Sequence, residues 1–372
     1  MTQNYLLHNK AGLYIYDPSI GKTFSTNHLT PSEKRDLITK SIIVTDIVFK
    51  PNQAEWVSIG NYYQHNIYKK YEPKHDKTDN ITGFLELMNR LFPVIEDYKT
   101  VMQYFAHMIQ KPNERPSFAL LITSDSGTGK GFLYSKILRP LLSNQTEQVD
   151  NYSLVFDRFS KTLYMNLLCC LDDPKSNHPS TMAKLKSAIT EPTRRVEDKH
   201  GEQYTVDTYT RLIIFSNERV PLKLNESDVR RLYAPTYITH RDSLAETQDF
   251  IESIADKLDI DCIYNYLSTY PIDDFNPYQP RQTETLLDML GASVTYLQES
   301  IEDYANRNKV FTFADLKRSV GDYRNEADIR LALNDLGLIN TRKCIGGKDY
   351  RLWHLPSINK SDLTEHFDPF FS

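Results

Sequence analysis

A glycine-rich turn that carries a lysine follows the apolar segment 118–123. Gly127 and Gly129 allow backbone N–H groups to curl around a phosphate, and the start of a helix would add a partial positive charge. Lys130 can then reach the terminal phosphates of a nucleotide. The segment predicts a buried strand, a phosphate-binding loop and a helix start, in that order. The predicted nucleotide-binding residues are Ser124, Asp125, Ser126, Gly127, Thr128, Gly129, Lys130 and Gly131.

Two positions of this loop depart from the common pattern G-x-x-x-x-G-K-[ST]. Ser124 replaces the first glycine, and Gly131 stands where a Ser or Thr hydroxyl normally contacts magnesium. Magnesium must then be held by water and by acidic side chains elsewhere in the chain. The simpler alternative is a glycine turn between a strand and a helix in which the lysine occurs by chance.

Two carboxylates, Asp172 and Asp173, directly follow the apolar run 163–171. Ligands bind at the carboxyl ends of the strands in open α/β sheets, so we expect this pair beside the loop. One acid can order Mg²⁺ and its waters while its neighbour polarises the attacking water. We assign Asp172 to the metal, largely through water, and Asp173 to the attacking water, although the two roles could be exchanged.

An amide follows the next apolar segment, because 211–215 leads into Ser216 and Asn217. At the end of a strand, the Asn217 side chain can hydrogen-bond both the γ-phosphate and the attacking water. An asparagine that merely forms a turn is the alternative.

Two arginines, Arg230 and Arg231, precede the apolar segment 232–237. A guanidinium group placed against the phosphate of a neighbouring subunit would stabilise the charge of the transition state. The alternative is a surface ion pair with Asp228 or Glu226.

The sequence pattern of the segments that must position these residues predicts an α/β fold. Apolar segments bounded by turns alternate with helical spacing between residues 117 and 237, which indicates buried strands with helices between them. The last ninety residues instead predict three helices followed by a glycine-turned hairpin, as in a winged helix. The predicted strands are 118–123, 162–171, 211–215 and 232–237; the predicted C-terminal helices are 294–306, 313–320 and 326–336, and the hairpin is 344–354.

The same pattern divides the chain into four parts. We expect a small mixed α+β N-terminal module at 1–75, with strands near 12–16 and 42–49. A helical lead-in or collar at 76–113 follows, with two helices interrupted at Pro93. The ATPase domain would occupy 114–280, and the winged helix and tail 281–372.

Composition limits the possible functions. Lys and Arg number 44 against 49 Asp and Glu, a formal net charge of −5, which argues against non-specific coating of nucleic acid by a global basic field. No C-x-x-C spacing occurs, so neither a zinc ribbon nor a disulfide framework is indicated, and a reducing cytoplasm fits best. We expect no secretory signal and no membrane span, because no apolar run approaches roughly 18 residues. The cysteines are Cys169, Cys170, Cys262 and Cys344.

The order of these motifs resembles superfamily 3 helicases, specifically the poxvirus-type and phage-type primase-helicases. The resemblance covers about residues 81–237 and lies in G-T-G-K-G, an apolar run with Asp-Asp, a strand with Ser-Asn, and Asp-x-Arg-Arg. It implies a P-loop AAA+-like ATPase core and a hexameric ring with ATP between subunits. It makes Asn217 the sensor residue and Arg231 the arginine finger acting in trans, with Arg230 as the second candidate.

A hairpin of that family projects into the ring channel and carries a Lys-His pair at its tip. Residues 194–206 resemble it, with Lys199 and His200 at the turn and Arg194 and Arg195 on the first strand. Such a tip can grip phosphate and sugar without reading bases, as a translocating protein requires. An ordinary exposed hairpin is the alternative.

We therefore expect an ATP- and Mg²⁺-dependent replicative helicase that moves along single-stranded or forked DNA. No primase or polymerase acidic triad precedes the motifs, so the chain resembles either the C-terminal half of a phage primase-polymerase or a stand-alone relative. The expected partners are DNA, further copies of the chain, and a primase, polymerase or other replication protein, with no membrane, in the cytoplasm of the host cell if the protein is phage-encoded. An initiator or remodelling ATPase, and a DNA-binding scaffold with a degenerate nucleotide pocket, remain the alternatives. The acids around Arg330 leave open whether the winged helix contacts DNA or protein.

Overall fold

The computed structural model describes residues 4–9, 12–17, 22–157, 160–174, 181–197, 203–321 and 325–367. The N-terminal part forms a six-stranded sheet of order β3-β2-β1-β4-β6-β5, in which β1, β4 and β6 run parallel. Tyr5 stacks on Trp56 across this sheet, with ring centroids 4.6 Å apart. Its elements are β1 (Asn4–Asn9), β2 (Gly12–Asp17), β3 (Lys22–Ser25), α1 (Pro31–Lys40), β4 (Ser41–Val48), β5 (Trp56–Ile59) and β6 (Tyr62–Asn66).

Two helices connect this sheet to the central one, namely α2 (Thr82–Leu91) and α3 (Ile95–Gln110). The predicted interruption at Pro93 is confirmed, because proline lacks the N–H that a continuing helix would need. The apolar face of α2 is buried in the core beside the central sheet.

The central sheet has the order β13-β7-β12-β9-β8, and all of its strands are parallel. Alternate residues of its strands belong to two separate cores, one on each face. Cys169 and Cys170 thus point to opposite faces, and the four cysteines are free thiols. The elements of this region are β7 (Ala119–Thr123), α4 (Lys130–Phe132), a π-helical segment (Leu133–Leu138), α5 (Arg139–Leu141), β8 (Thr146–Val149), α6 (Tyr152–Phe156), β9 (Leu168–Asp172), α7 (Thr181–Thr190), β10 (Thr193–Glu197), β11 (Gln203–Asp207), β12 (Arg211–Ser216), α8 (Glu226–Val229) and β13 (Leu232–Tyr233).

Two predicted strands were too long. The segment 162–171 pairs only from Leu168, because the preceding residues form turns in which the Tyr164 and Met165 N–H groups donate to the Lys161 carbonyl. The segment 232–237 is a strand only at Leu232–Tyr233. Pro235 has no N–H to donate, and the Thr236 N–H donates to the Asp97 carboxylate at 2.8 Å instead of to a strand.

The C-terminal part begins with α9 (Leu244–Ala255) and α10 (Ile260–Thr269) and continues into a 25-residue helix, α11 (Glu284–Asn308). The predicted helix 294–306 is thus the second half of a longer one. The first turns of α11 belong to a core of the central sheet, and its last turns belong to the C-terminal core. The remaining elements are β14 (Val310–Thr312), α12 (Phe313–Val320), α13 (Glu326–Asp335), β15 (Ile339–Ile345), β16 (Lys348–His354) and α14 (Leu363–His366).

Strands β15 and β16 form the predicted hairpin, which turns at Gly346 and Gly347 with φ values of +61° and +83°. Strand β14 completes an antiparallel sheet of order β14-β16-β15. Among the helices of the described ranges, none combines the length and the apolarity that crossing a bilayer requires.

Candidate functional site

The loop after β7 is held by the edges of two neighbouring segments. The Ser124 N–H donates to the Ser216 carbonyl at 3.0 Å, and the Asp125 N–H donates to the Ile238 carbonyl at 2.9 Å. Gly127 and Gly129 have φ values of +83° and +109°, which side chains rarely adopt. These glycines let the backbone curl back at the carboxyl end of β7.

Lys130 lies at the centre of this arrangement. Its Nζ donates to the Ser124 hydroxyl, to the Ser216 carbonyl at 3.2 Å and to Asn217 Oδ1 at 3.1 Å. The side chain is only 9% exposed. Burial lowers the pKa of Lys130, while the carboxylates of Asp172, Asp173 and Asp125 act in the opposite direction.

The two predicted acids point to different neighbours. Asp172, the last residue of β9, accepts a hydrogen bond from Gln148 Nε2 at 2.7 Å. Asp173 adopts a φ of +46°, a conformation that Asp tolerates better than most residues. Its Oδ1 accepts from the Ser216 hydroxyl at 3.2 Å and from the Asn217 N–H at 3.3 Å. The structure thus brings Lys130, Asp173 and Asn217 together at the ends of β7, β9 and β12.

Two residues beside this cluster escaped the sequence analysis. The Tyr237 hydroxyl donates to Asp125 Oδ1 at 3.0 Å and to the Asn217 carbonyl at 3.4 Å. The Arg219 guanidinium lies 3.9 Å from the centre of the Tyr237 ring. An arginine two positions after Asn217 was the available signal, but its partner belongs to a different segment of the chain.

Arg230 and Arg231 lie away from Lys130. Arg230 is the exposed residue that ends α8, and the Arg231 carbonyl accepts from the Ala119 N–H at 3.0 Å. The Arg231 Nε is buried and has no hydrogen-bond partner among the described residues. Burial lowers the pKa of Arg231, and the charge of Arg230 lowers it further.

The ion pair of Arg230 or Arg231 with Asp228, considered as an alternative, does not form in the described chain. Asp228 is 1% exposed and pairs with Lys186. Its Oδ2 also accepts from the Asn225 N–H at 2.9 Å, which caps α8. The carboxylate is therefore used inside the fold. Neither guanidinium group forms an ion pair with Asp228 or Glu226 among the described residues, although the charge of Asp228 acts to raise the pKa of Arg231.

The predicted DNA-contacting hairpin consists of β10 and β11, paired antiparallel from Thr193 opposite Asp207. Arg194 is half-buried and donates to the Asp157 carbonyl at 3.4 Å, whereas Arg195 is exposed on the same strand. Lys199 and His200 fall within 198–202, outside the described residues.

The donor set at the acidic pair fits a water-held magnesium ion. A Cβ placed at Gly131 would meet no atom within 4 Å, so the space beside the loop is open where a hydroxyl would normally stand. Asp172 keeps a carboxylate that is only partly buried. Carboxylates with several waters are the usual environment of Mg²⁺ in proteins.

Comparisons with known proteins agree with the fold. Residues 121–231 match a family of unknown function, DUF5906. A 126-residue stretch is 27% identical to the DNA primase-polymerase of Nitratiruptor phage NrS-1, covering 33% of this chain and 17% of that protein. The match therefore spans about a sixth of the length of that relative.

The solved structures that resemble the chain include the apo C-terminal region of NrS-1. That structure has a TM-score of 0.60 at 15% identity and covers 95% of both chains. An A form of the same apo region also has a TM-score of 0.60, at 16% identity, covering 95% of this chain and 96% of the other. The chain thus shares the mixed α/β fold of that region, including its parallel sheet, over almost its whole length.

Proposed function

We propose that the chain is an ATP-dependent replicative DNA helicase that moves along single-stranded DNA as a ring and acts with a primase or polymerase of a phage or plasmid. The observation that carries this proposal is the convergence of Lys130, Asp173 and Asn217 on a glycine loop at the ends of three adjacent parallel strands. Similarity to a phage primase-polymerase supports the replication context.

The proposed chemistry follows from the positions of these side chains. Loop amides after β7 hold the phosphates, and Lys130 exchanges its contacts with Ser124 and Asn217 for the terminal phosphate oxygens. Asp172 orders the hydration shell of Mg²⁺, Asp173 polarises the attacking water, and Asn217 orients both water and phosphate. Bound Mg²⁺ would neutralise charge that develops on the phosphates.

The proposed hexameric ring supplies what one chain lacks. Arg231, with Arg230 as the second candidate, reaches the phosphate bound by the adjacent subunit, since neither contacts the cluster around Lys130 in its own chain. Lys199 and His200, with Arg194 and Arg195 at the base of the hairpin, contact the DNA backbone.

The proposed domain division assigns 1–75 to the N-terminal module, 76–113 to the collar, 114–280 to a superfamily 3 P-loop ATPase and 281–372 to a winged helix and tail. The antiparallel sheet β14-β16-β15 and the helices α12 and α13 support the last assignment. Arg330 stacks on Phe313 and lies beside Glu326, so a contact with protein suits this module at least as well as one with DNA.

The decisive experiment compares DNA-stimulated ATP hydrolysis of the wild type, Lys130→Ala, Arg231→Ala and a mixture of the two variants. Each variant alone is expected to lose turnover. Random mixing in a ring restores about a quarter of the interfaces, where an intact Lys130 meets an intact Arg231 from its neighbour. Hydrolysis by Lys130→Ala at the wild-type rate would refute the assignment of the site, and a mixture without any rescue would refute the action of Arg231 in trans.

A DNA-binding scaffold is the second candidate, favoured by Ser124 and Gly131 in the loop. Wild-type protein that binds single-stranded DNA but does not hydrolyse ATP in its presence would establish this function instead. Strand displacement on forked DNA separates a processive helicase from an initiator ATPase, because the latter hydrolyses ATP without completing displacement.

A further inference from the structure

A segment without regular structure, residues 71–80, lies across the start of α10. The Tyr71 hydroxyl donates to Asp261 Oδ1 at 2.5 Å, and the Lys74 N–H donates to Asp261 Oδ2 at 3.2 Å. Asn265 Nδ2 donates to the carbonyls of His75 and Lys77 at 2.7 and 3.0 Å. We call this segment the strap. Helix α10 holds it from both sides of His75.

Three different donor atoms meet where the strap crosses the helix. His75, Asp259 and Cys262 each offer one ligand atom, and these atoms all lie within 4.8 Å of one another. His75 Nε2 is 3.4 Å from Asp259 Oδ2. A fourth donor is near, because Cys262 Sγ is 3.9 Å from Asp79 Oδ1 at the other end of the strap.

Apart from the long bond that Cys262 Sγ donates to Asp79 Oδ1, the hydrogen bonds around the cluster leave the ligand atoms available. Asp259 Oδ1 accepts the Cys262 N–H at 3.0 Å and caps α10, so Oδ2 faces His75. The Nδ1 of His75 is buried and has no hydrogen-bond partner among the described residues, so the ring can present either nitrogen. Asp261 is excluded as a main ligand, because Tyr71 and Lys74 already occupy both of its oxygens.

The environment suits a cation better than a simple ion pair. The Cys262 side chain is 1% exposed, yet carboxylates of Asp79 and Asp259 lie beside it. While it keeps its proton, the thiol can donate only one long hydrogen bond at a time, such as the one to Asp79 Oδ1 at 3.9 Å, so the negative charges of the two acids are not neutralised. A divalent ion would replace that proton, which leaves to solvent, and would neutralise the acids.

We propose that His75, Asp259 and Cys262, completed by Asp79, form a binding site for a divalent transition metal, best suited to zinc. Nitrogen, sulfur and carboxylate oxygen are the ligands that zinc prefers, at about 2.0 to 2.3 Å in tetrahedral geometry. The donors must approach each other by about 1 Å, since tetrahedral ligands at these bond lengths are closer than the largest spacing seen here. His75 and Asp259 have side chains 33% and 28% exposed, so they can rotate, and they leave an entry path from solvent.

Such a site would stabilise the elements that cover the phosphate loop. The strap leads into α2, and Asp259 begins the helix that follows α9. Leu87 of α2 and Ile251 of α9 lie 3.5 and 3.3 Å from the position of a Cβ at Gly129. The ion would join the segments before α2 and after α9, and its binding does not depend on the proposed helicase activity.

Titration of the full, metal-stripped chain with zinc and with cobalt tests the proposal. Cobalt reports the ligands directly, because thiolate coordination gives a near-ultraviolet charge-transfer band and tetrahedral geometry gives strong visible absorption. We expect one equivalent to bind with both signatures, and zinc to raise the melting temperature. Cys262→Ser should abolish the charge-transfer band, and His75→Ala should weaken affinity by at least about tenfold.

Two further variants keep the experiment decisive if Cys262→Ser folds poorly. His75→Ala changes a partly exposed side chain, so its metal-free melting temperature should stay near that of the wild type while the zinc-induced rise disappears. Cys344→Ser is the matched control, since that thiol is exposed on the C-terminal hairpin, and it should bind cobalt like the wild type. No stoichiometric binding by the wild type, or an unchanged cobalt spectrum in both Cys262→Ser and His75→Ala, would overturn the proposal.

Discussion

The two ends of α11 lie in regions that differ in the burial of their charged side chains. Around the central sheet, ionic side chains are buried and engaged, as with Arg211 at 1% and Lys130 at 9% exposure. Around the C-terminal hairpin, pairs such as Arg342 with Asp349 are exposed. Burying charge is costly unless each atom is bonded, whereas exposed pairs contribute little. The buried charges of the central region therefore mark positions where the fold or its site depends on them.

The largest expected effect is the loss of Arg211. Its guanidinium donates to the carbonyls of Lys111, Pro112 and Glu114, which follow α3. Its removal deprives the Pro112 and Glu114 carbonyls of this donor, whereas the Lys111 carbonyl keeps the Glu114 N–H. Arg211→Ala should lower the free energy of unfolding by about 3 to 5 kcal/mol, measured by urea denaturation. Arg342→Ala is the exposed counterpart and should leave the urea midpoint unchanged. Equal shifts in the two variants would remove the distinction between the regions.

The second comparison uses two glycines with the same backbone angle. Gly127 in the loop and Gly347 in the hairpin both have a φ of +83°. A Cβ at Gly127 would lie 2.5 Å from Leu244 Cδ1, whereas one at Gly347 would meet nothing within 4 Å. Gly127→Ala should cost about 1 to 3 kcal/mol and weaken ATP binding, while Gly347→Ala should show only the smaller backbone strain.

Calorimetric titration measures ATP binding by Gly127→Ala and Gly347→Ala, and thermal unfolding measures their stability. Adding Leu244→Ala to Gly127→Ala should recover the part of the loss that comes from the clash. If the two glycine variants are equally destabilised, the close approach of α9 to the loop does not contribute to the loss of unfolding free energy.

A third test concerns Arg219, which is exposed but belongs to the surroundings of the buried site. Its stacking on Tyr237 holds the hydroxyl that bonds Asp125, so its loss should disturb nucleotide placement more than the chemical step. Arg219→Ala should raise KM for ATP by about three- to tenfold with a smaller change in kcat. Tyr237→Phe keeps the stacking but removes the hydroxyl bond to Asp125 itself, and should raise KM by at least as much. A fall in kcat alone would assign Arg219 a different role.

The smallest expected effect is a gain in stability. Burial lowers the pKa of Lys130, so the charged side chain opposes folding at neutral pH, and Lys130→Met should be more stable by up to about 1 kcal/mol. The unfolded chain binds the proton more tightly. The difference between the variants should therefore shrink as pH rises from the lowered pKa of the native state towards the ordinary lysine pKa of 10.5. Urea midpoints between pH 7 and 10 measure it, and a gap that widens with pH would contradict the sign.

Sequence patterns predicted the elements whose signals are local. The strand before the loop, the break at Pro93 and the hairpin at Gly346 and Gly347 each depend on neighbouring residues, and the structure has them. The described residues among the first 66 instead form six strands where two were expected, because short, partly exposed strands lack a clear apolar alternation. Thr162 was placed in a strand because apolar character alone does not distinguish a buried turn from a strand.

The residues of the candidate site also fall into those that local sequence signals predict and those that they do not. Lys130, Asp172 and Asn217 could be named from sequence because each lies in the segment that follows a predicted strand, and parallel strands bring their carboxyl ends to one edge. Tyr237 and Arg219 contact each other through chain segments that no spacing rule relates. The cluster of His75 and Cys262 is similar, since its donors are far apart along the chain and follow no metal-ligand spacing.

Helix α11 is a long, rigid connection between two cores of the molecule. At 1.5 Å per residue its 25 residues extend about 37 Å, from the core beside α8 to the core of the C-terminal sheet. Ser293, in the first half of this helix, accepts a hydrogen bond from the Leu224 N–H at 3.0 Å. Leu224 lies just before α8, the helix that precedes Arg231. A small rotation of the segment that carries Arg231 would therefore displace the distant C-terminal module by a larger distance, because the rigid helix connects the two.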